Sequence, residues 1–572
     1  MAVDVSAPVE PKIVRNDEED DLARIDLWID GDERGITATR VRSRLGQWRR
    51  RSLQQVGHSS TRLAPLIPLG VILFLQAWNS VRLLQSNTAF LDEATYLGAG
   101  HRLFQNLLHG GANLHYPNYF SGAPAIYPPL GAIADSLGGL TAARSLSLAF
   151  MLIATILVFA SARRLYGTPA GWFAAAAFST VEGTQFLGAL ATFDAMALAL
   201  LAVATWIVIW TSSSTRAEPH GAIYLAAPVM ALADATKYAS TLYDVVIVVI
   251  AFLLVTSNHG WRKALKVAVL LSGITFAICA ALLALGGPAY VAGISSTTLR
   301  RPAGTTPVGH VLHESILWVG MLTALAVVAA IRLTMRAFRN RTGKVTAALG
   351  IVLASAVLLA PLNEARIHTT TSLTKHVDFG AWFGAIVAGS LITQLGRVRA
   401  RGGTAIGFRR AYRRLPYALL AVAATAVLVP MYLVGTSQAR AQFNTWVNAA
   451  QFMPALKPLV LHSTGPILLD DAEVPNYYLG NGVLSTRWHD TFYLSYTPPG
   501  AKKALVGIPA YTSAIRHHYF DLIALDFGEQ HRVDAAVVKT ISSSHEYKYV
   551  TKVQISDAYG HSVYVVWRYR GA

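Results

Sequence analysis

"LAPLIPLGVILFLQAWNSVRLLQSNTAFLDEATYLGAGHRL", residues 63 to 103, runs from a long, mostly apolar stretch into two adjacent carboxylates, Asp92 and Glu93. Its first part, 63 to 84, has about the twenty residues that cross a bilayer core. Such runs recur through a chain of 572 residues that is 53% hydrophobic and 14% charged, with mean hydropathy +0.39. The reading is an α-helical polytopic membrane protein. Further spans are expected near 139–162, 168–187, 190–211, 221–237, 241–257, 264–286, 315–335, 345–362, 376–395 and 415–435, which makes about eleven.

The formal net charge of +17 would suggest nucleic acid in a soluble protein. Here Lys and Arg fall in every second loop, "SARRLYG", "SNHGWRKALK", "RLTMRAFRNRTGK" and "GRVRARGGTAIGFRRAYRR". Topology alone accounts for that pattern, so no nucleic-acid partner is expected. Residues 1–60, acidic at "NDEEDD" and then basic at "RVRSRLGQWRRRS", read as a disordered cytoplasmic tail with no signal-peptide core. Residues 61–438 form the transmembrane domain, and an odd number of spans puts 439–572 on the extracytoplasmic side. There "GPILLDD", "FDLIALDF", "YKYVTKVQI" and "SVYVVWRYR" read as strands of a small α/β domain. The single cysteine, Cys279, excludes a disulfide framework or a cysteine cluster within one chain.

Ionisable residues gather at the outer ends of these spans: Asp92, Glu93, Glu182, Asp194, Lys237, Arg300, Arg301, Lys375, His376 and Asp378. Each is costly there unless it pairs or lines a wet cavity, so each is a candidate functional group. The competing readings are plain. Asp92 also reads as a helix cap, though no Glu or Gln follows at the capping-box position, Glu182 and Asp194 as loop or cap residues, Lys237 as a snorkelling side chain, Arg300 and Arg301 as loop charges, and Lys375 and His376 as structural. His101, His109 and His115 with Glu93 give a metal reading, but spacings of eight and six put no two on one helical turn.

Several of these residues fall into a pattern: "DE" just past the first span, Tyr96 close behind, "YPPL" from Tyr127 leading into the second span, "TFD" with Asp194 before the fourth, and "TKY" with Lys237 and Tyr238 at the fifth. Over roughly residues 60–440 this resembles the GT-C superfamily of integral membrane glycosyltransferases. It is nearest the polyprenyl-phosphate-sugar-dependent branches, the protein O-mannosyltransferase and bacterial aminoarabinose and core-sugar transferase types. No β-trefoil insertion lies between spans here, which disfavours protein mannosylation of the eukaryotic type.

The resemblance implies inverting transfer of one sugar from a lipid phosphate to an acceptor hydroxyl, in bacterial cell-envelope glycan or glycoprotein synthesis. Asp92 is then the base, supported by Glu93. The donor phosphate falls to Lys237, Arg300, Arg301, Lys375 and His376, and substrate contacts to Tyr96, Tyr127, Glu182, Asp194 and Tyr238. The partners implied are a polyprenyl-phosphate-linked sugar and a glycan, lipid or protein acceptor. No cofactor is required, although a divalent ion at the carboxylates is allowed. In the C-terminal region, "LLDDAEVPNYYLGNG" and "TRWHDTFYLSY" suit carbohydrate contact as well as they suit a core strand and its turn. A transporter or flippase of lipid-linked sugars is the rival class. It would call for repeats and for charges near the midplane rather than at span ends.

Overall fold

The computed structural model describes residues 66–110, 116–212, 221–401, 411–480, 485–528, 530–555 and 563–571. The expected tail, 1–60, and His115 lie outside these residues. In chain order the helices of the apolar region are α1 (Leu66–Leu83), α2 (Leu91–His109), α3 (Tyr127–Tyr166), α4 (Thr168–Ser179), α5 (Glu182–Leu187), α6 (Phe193–Ser212), α7 (Ala226–Thr236), α8 (Asp244–His259), α9 (Trp261–Gly286), α10 (Pro288–Ile294), α11 (Val308–Asn340), α12 (Lys344–Ser355), α13 (Leu359–Arg366), α14 (Leu373–Arg401) and α15 (Ala411–Gln442).

Every expected span is helical, but among the described residues nine stretches are long and apolar enough to cross a membrane. The two that fall short have local causes. Residues 168–187 break between α4 and α5, where the Thr180 hydroxyl turns back to the Ala177 carbonyl at 2.7 Å. There α15 presses in: a Cβ on its Gly435 would stand 2.0 Å from the Thr180 carbonyl oxygen. The stretch at 221 opens with a 3-10 turn, Gly221–Leu225, which leaves α7 short. Conversely, α3 starts well before the expected 139. Pro128 and Pro129 are compatible with a first helical turn, and the chain continues through a kink at Gly138 and Gly139, the latter at φ +66°.

The centre of the bundle is α14, whose apolar window is 83% buried. Small residues let neighbouring backbones close on it. A Cβ on Gly380 would meet the Ala356 carbonyl at 2.6 Å, and one on Gly389 would meet that of Ala170 at 2.3 Å.

The C-terminal region adds α16 (Phe452–Leu461), β1 (Ile467–Leu469), α17 (Glu473–Leu479), β2 (Trp488–Asp490), β3 (Ser495–Tyr496), β4 (Leu505–Val506), α18 (Ile508–Arg516), β5 (Leu522–Leu525), α19 (His531–Ser544), β6 (Tyr547–Gln554) and β7 (Val563–Tyr569). Five strands form one sheet in the order β2-β1-β5-β7-β6, parallel across β2, β1 and β5 and antiparallel beyond. The four strand-like runs of the sequence are β1, β5, β6 and β7. Alternate residues serve opposite faces. Leu468, Ile523 and Leu525 pack on α18 and α19, whereas Ile467, Leu469, Leu522 and Ala524 pack on α16.

At the carboxyl ends of the parallel strands, burial and the neighbouring Asp526 push Asp470 and Asp534 above the ordinary carboxylate range. The folded chain then binds their protons more tightly. The stability this contributes is present below about pH 4 and is lost as the pH rises through the raised values. The melting temperature of this region should fall from acid toward neutral pH, and Asp534→Asn should flatten the slope. Scanning fluorimetry across pH checks both.

Candidate active site

Between α1 and α2 the chain is tied down by distant partners. Asn87 Nδ2 donates to the carbonyls of Phe443 at 2.8 Å and Trp446 at 3.1 Å, and the Ala89 N–H donates to the Tyr478 hydroxyl at 2.9 Å. Phe90 is the N-cap of α2, and its N–H donates to Glu93 Oε2 at 2.9 Å, one half of a capping box. Arg144 of α3 grips Glu93 with Nε at 2.8 Å and Nη2 at 2.7 Å, and the Ala191 N–H adds a bond of 2.7 Å. The rest of the Arg144 guanidinium bonds the carbonyls of Leu84, Asn87 and Thr88. Both side chains are fully buried. Glu93, expected at the chemistry, is committed to four donors and anchors the turn.

Successive helical residues point about 100° apart, so burying Glu93 turns Asp92 outward. The Asp92 side chain is 34% exposed, and its Oδ2 pairs with Lys375 Nζ at the start of α14. Lys375 also sits 5.1 Å from the Phe90 ring centre. A second pair, Asp194 of α6 with Lys237 at the C-cap of α7, closes at 2.7 Å and is buried, with Lys237 4.7 Å from the Phe193 ring. A third joins His376 Nδ1 to Glu364 Oε1 of α13 at 2.6 Å. Asp194 is within electrostatic reach of Lys375 and His376 as well. The three pairs, drawn from five elements, make one cluster.

Tyr96 faces this cluster. Burial, then Asp92 and Asp194, push its phenol well above the ordinary range, so it stays a neutral donor. Tyr127 is fully buried, with its hydroxyl 3.5 Å from Ser147 and Glu93 and Asp194 in electrostatic reach. The Tyr238 N–H donates to the Ser121 carbonyl at 2.9 Å, tying the outer loop to the turn that carries Lys237. Close approach matters again at Gly100 of α2, where a Cβ would stand 2.0 Å from the Pro128 carbonyl oxygen.

Other candidates stand apart. Glu182 is buried, faces Asp378 and borders a cavity of about 30 Å³ between α11 and α15. Asp378 in turn accepts the Thr184 hydroxyl at 2.9 Å. Arg300 and Arg301 have no salt-bridge partner among the described residues. Their loop does pass the rim of the cluster: Ser296 Oγ donates to the Asn118 carbonyl at 3.0 Å, and the Gly304 N–H to that of Ile367 at 2.9 Å. His101 bonds Asp135 at 2.7 Å, and no group of three or more His, Cys, Asp or Glu among the described residues is placed to hold a metal. With Glu93 held by Arg144, the metal reading of the histidines loses its carboxylate.

Sequence reasoning missed Arg144, Glu364 and Asp135. Arg144 carried a usable signal, a lone charge inside an apolar run. Asp135 carried the same mark, as the lone charge in "LGAIADSLGG", whereas Glu364 had none, because it sits in the ordinary polar stretch "LNEARIH".

Residues 132–284 match the family model for dolichyl-phosphate-mannose-protein mannosyltransferase. No curated protein matches by sequence. Among solved structures the chain is similar to ArnT from Cupriavidus metallidurans in the apo state, with TM-score 0.55, 15% identity and coverage of 87% of this chain and 97% of that one. The same protein bound to undecaprenyl phosphate gives TM-score 0.55 at 14% identity, with coverage of 87% and 97%. The archaeal oligosaccharyltransferase AglB from Archaeoglobus fulgidus, in complex with an inhibitory peptide and a dolichol-phosphate, gives TM-score 0.52 at 12% identity, with coverage of 87% and 75%. At these identities the likeness is one of fold. The chain is a multi-pass membrane protein with an ArnT-like fold and a small C-terminal sheet region.

Proposed function

We propose that the protein is an inverting glycosyltransferase that moves one sugar from a polyprenyl-phosphate carrier to an acceptor hydroxyl at the outer face of the cytoplasmic membrane. The observation that carries this reading is Asp92. Its side chain is 34% exposed beside a lysine, whereas Glu93, Asp194 and Glu364 are at most 1% exposed. An open carboxylate at the head of a helix, amid fixed cations, is what a single displacement at an anomeric carbon needs.

Asp92 accepts the proton of the acceptor hydroxyl as its oxygen bonds the anomeric carbon. The bond from that carbon to the phosphate oxygen breaks, and the electron pair leaves on the lipid phosphate. Lys375 holds Asp92 in place and Tyr96 supplies a neutral donor beside it. Lys237, Arg300 and Arg301 meet the departing charge, with His376 held by Glu364 behind them. The undecaprenyl phosphate and dolichol-phosphate bound by proteins of this fold are the chemistry such cations would hold.

The test is to supply detergent-solubilised protein with mannose, arabinose and aminoarabinose lipid phosphates and to follow release of the lipid phosphate. Consumption of one donor with inversion at the anomeric carbon is expected. Retention of configuration, or transfer of intact donor across proteoliposomes without cleavage, overturns the reading.

Lys237→Met should lower kcat more than donor affinity, and replacing Arg300 and Arg301 by Gln should raise the donor KM. Because Lys237→Met leaves Asp194 buried and unpaired, the double change with Asp194→Asn separates folding from chemistry. It should fold well and stay slow. The orientation is tested independently: a phosphatase fused after residue 572 should be active, since an odd number of crossings from a cytoplasmic start ends outside.

A further inference from the structure

The aromatic residues around the cluster continue away from it toward the C-terminal domain. Tyr96, one turn from Asp92, meets Phe193 at 4.4 Å and Phe120 at 5.0 Å, and Phe120 touches Tyr119 at 5.1 Å. Tyr119 is 52% exposed and lies within electrostatic reach of Glu473, the first residue of α17. The loop after β2 is pinned to the same place, because Asp490 accepts the N–H of Ala472 at 2.8 Å and that of Phe492 at 2.6 Å. On it Phe492 and Tyr493 stand 79% and 68% exposed. Three exposed rings therefore border the turn that carries Glu473.

We propose that these residues form the acceptor site and that the acceptor is a saccharide chain. It lies along Phe492, Tyr493 and Tyr119 with its terminal hydroxyl directed past Tyr96 to Asp92. The proposal rests on the glycosyl-transfer reading and names the substrate class. A sugar ring has an apolar C–H face that stacks on an aromatic ring and a rim of hydroxyls that donate to a carboxylate such as Glu473. Rings spread over two domains fit a chain that repeats this face unit after unit. A lone serine hydroxyl or a lipid headgroup would reach few of them.

The probes are soluble oligosaccharides of mannose, arabinose, galactose or glucose in increasing length, with a serine- and threonine-bearing peptide as the alternative class. Binding to the full chain in detergent is read by saturation-transfer NMR without donor, and transfer is read with donor. At least one oligosaccharide series should bind more tightly as it lengthens. The double change Phe492→Ala and Tyr493→Ala should raise its Kd and acceptor KM about tenfold, with the donor KM and the melting temperature unchanged. Binding by the peptide alone, by none of the saccharides, or equally well by wild type and variant overturns the proposal. Saccharide binding without donor cleavage instead supports the site and overturns the transferase reading, so the two failures are distinguishable.

Discussion

Asp92→Asn should lower the proposed sugar transfer by on the order of a hundredfold to ten-thousandfold, while the protein still folds and inserts. The amide keeps the shape of the carboxylate and its place in the first turn of α2 but cannot take the acceptor's proton. The change leaves the buried Lys375 with Asp194 as its nearest remaining carboxylate, so some stability is lost, less than where a buried charge is left with no partner at all. Transfer of radiolabelled sugar from the lipid donor in membranes measures the first effect, and extraction yield with scanning fluorimetry measures the second. Wild-type turnover in this variant would move the base elsewhere.

Arg144→Met produces the opposite profile. It strands Glu93, a fully buried carboxylate, without its charge partner, and breaking such a pair costs about 3–5 kcal/mol. Little folded protein should be recovered from membranes, and what remains should melt early. Adding Glu93→Gln removes the stranded charge and should recover part of the loss, so the cycle of single and double variants reports the coupling between the two. Full stability in Arg144→Met would show that the turn is held by its backbone contacts instead.

These two residues also mark how far the sequence could be read. The spans were legible because hydropathy is a local property, and β1 and β5 were legible because strands buried on both faces read as continuous apolar runs. The break at Thr180 was hidden, since "STVEGTQF" has no glycine or proline at the break itself. The helix packed closest against it, α15, comes from far along the chain. The "DE" pair drew attention to this turn but did not say that one of its acids is buried and the other open. That division depends on Arg144, 51 residues away, and on Lys375, 283 residues beyond Asp92. Pairing over such distances is a property of the packed bundle, and no spacing rule reports it.

The tethers on the turn between α1 and α2 bear on how the chain is made. Asn87 is bonded to Phe443 and Trp446, 356 and 359 residues later, and Ala89 to Tyr478. A ribosome that has delivered the first two spans has delivered Asp92, Glu93 and Arg144, but nothing yet for Asn87 or Ala89 to hold. The turn that carries Asp92 is therefore fixed only after the last span has entered the bilayer and the following domain has emerged. Chains arrested before residue 443 should be membrane-inserted with this turn untethered, and on the proposed function they should consume no donor.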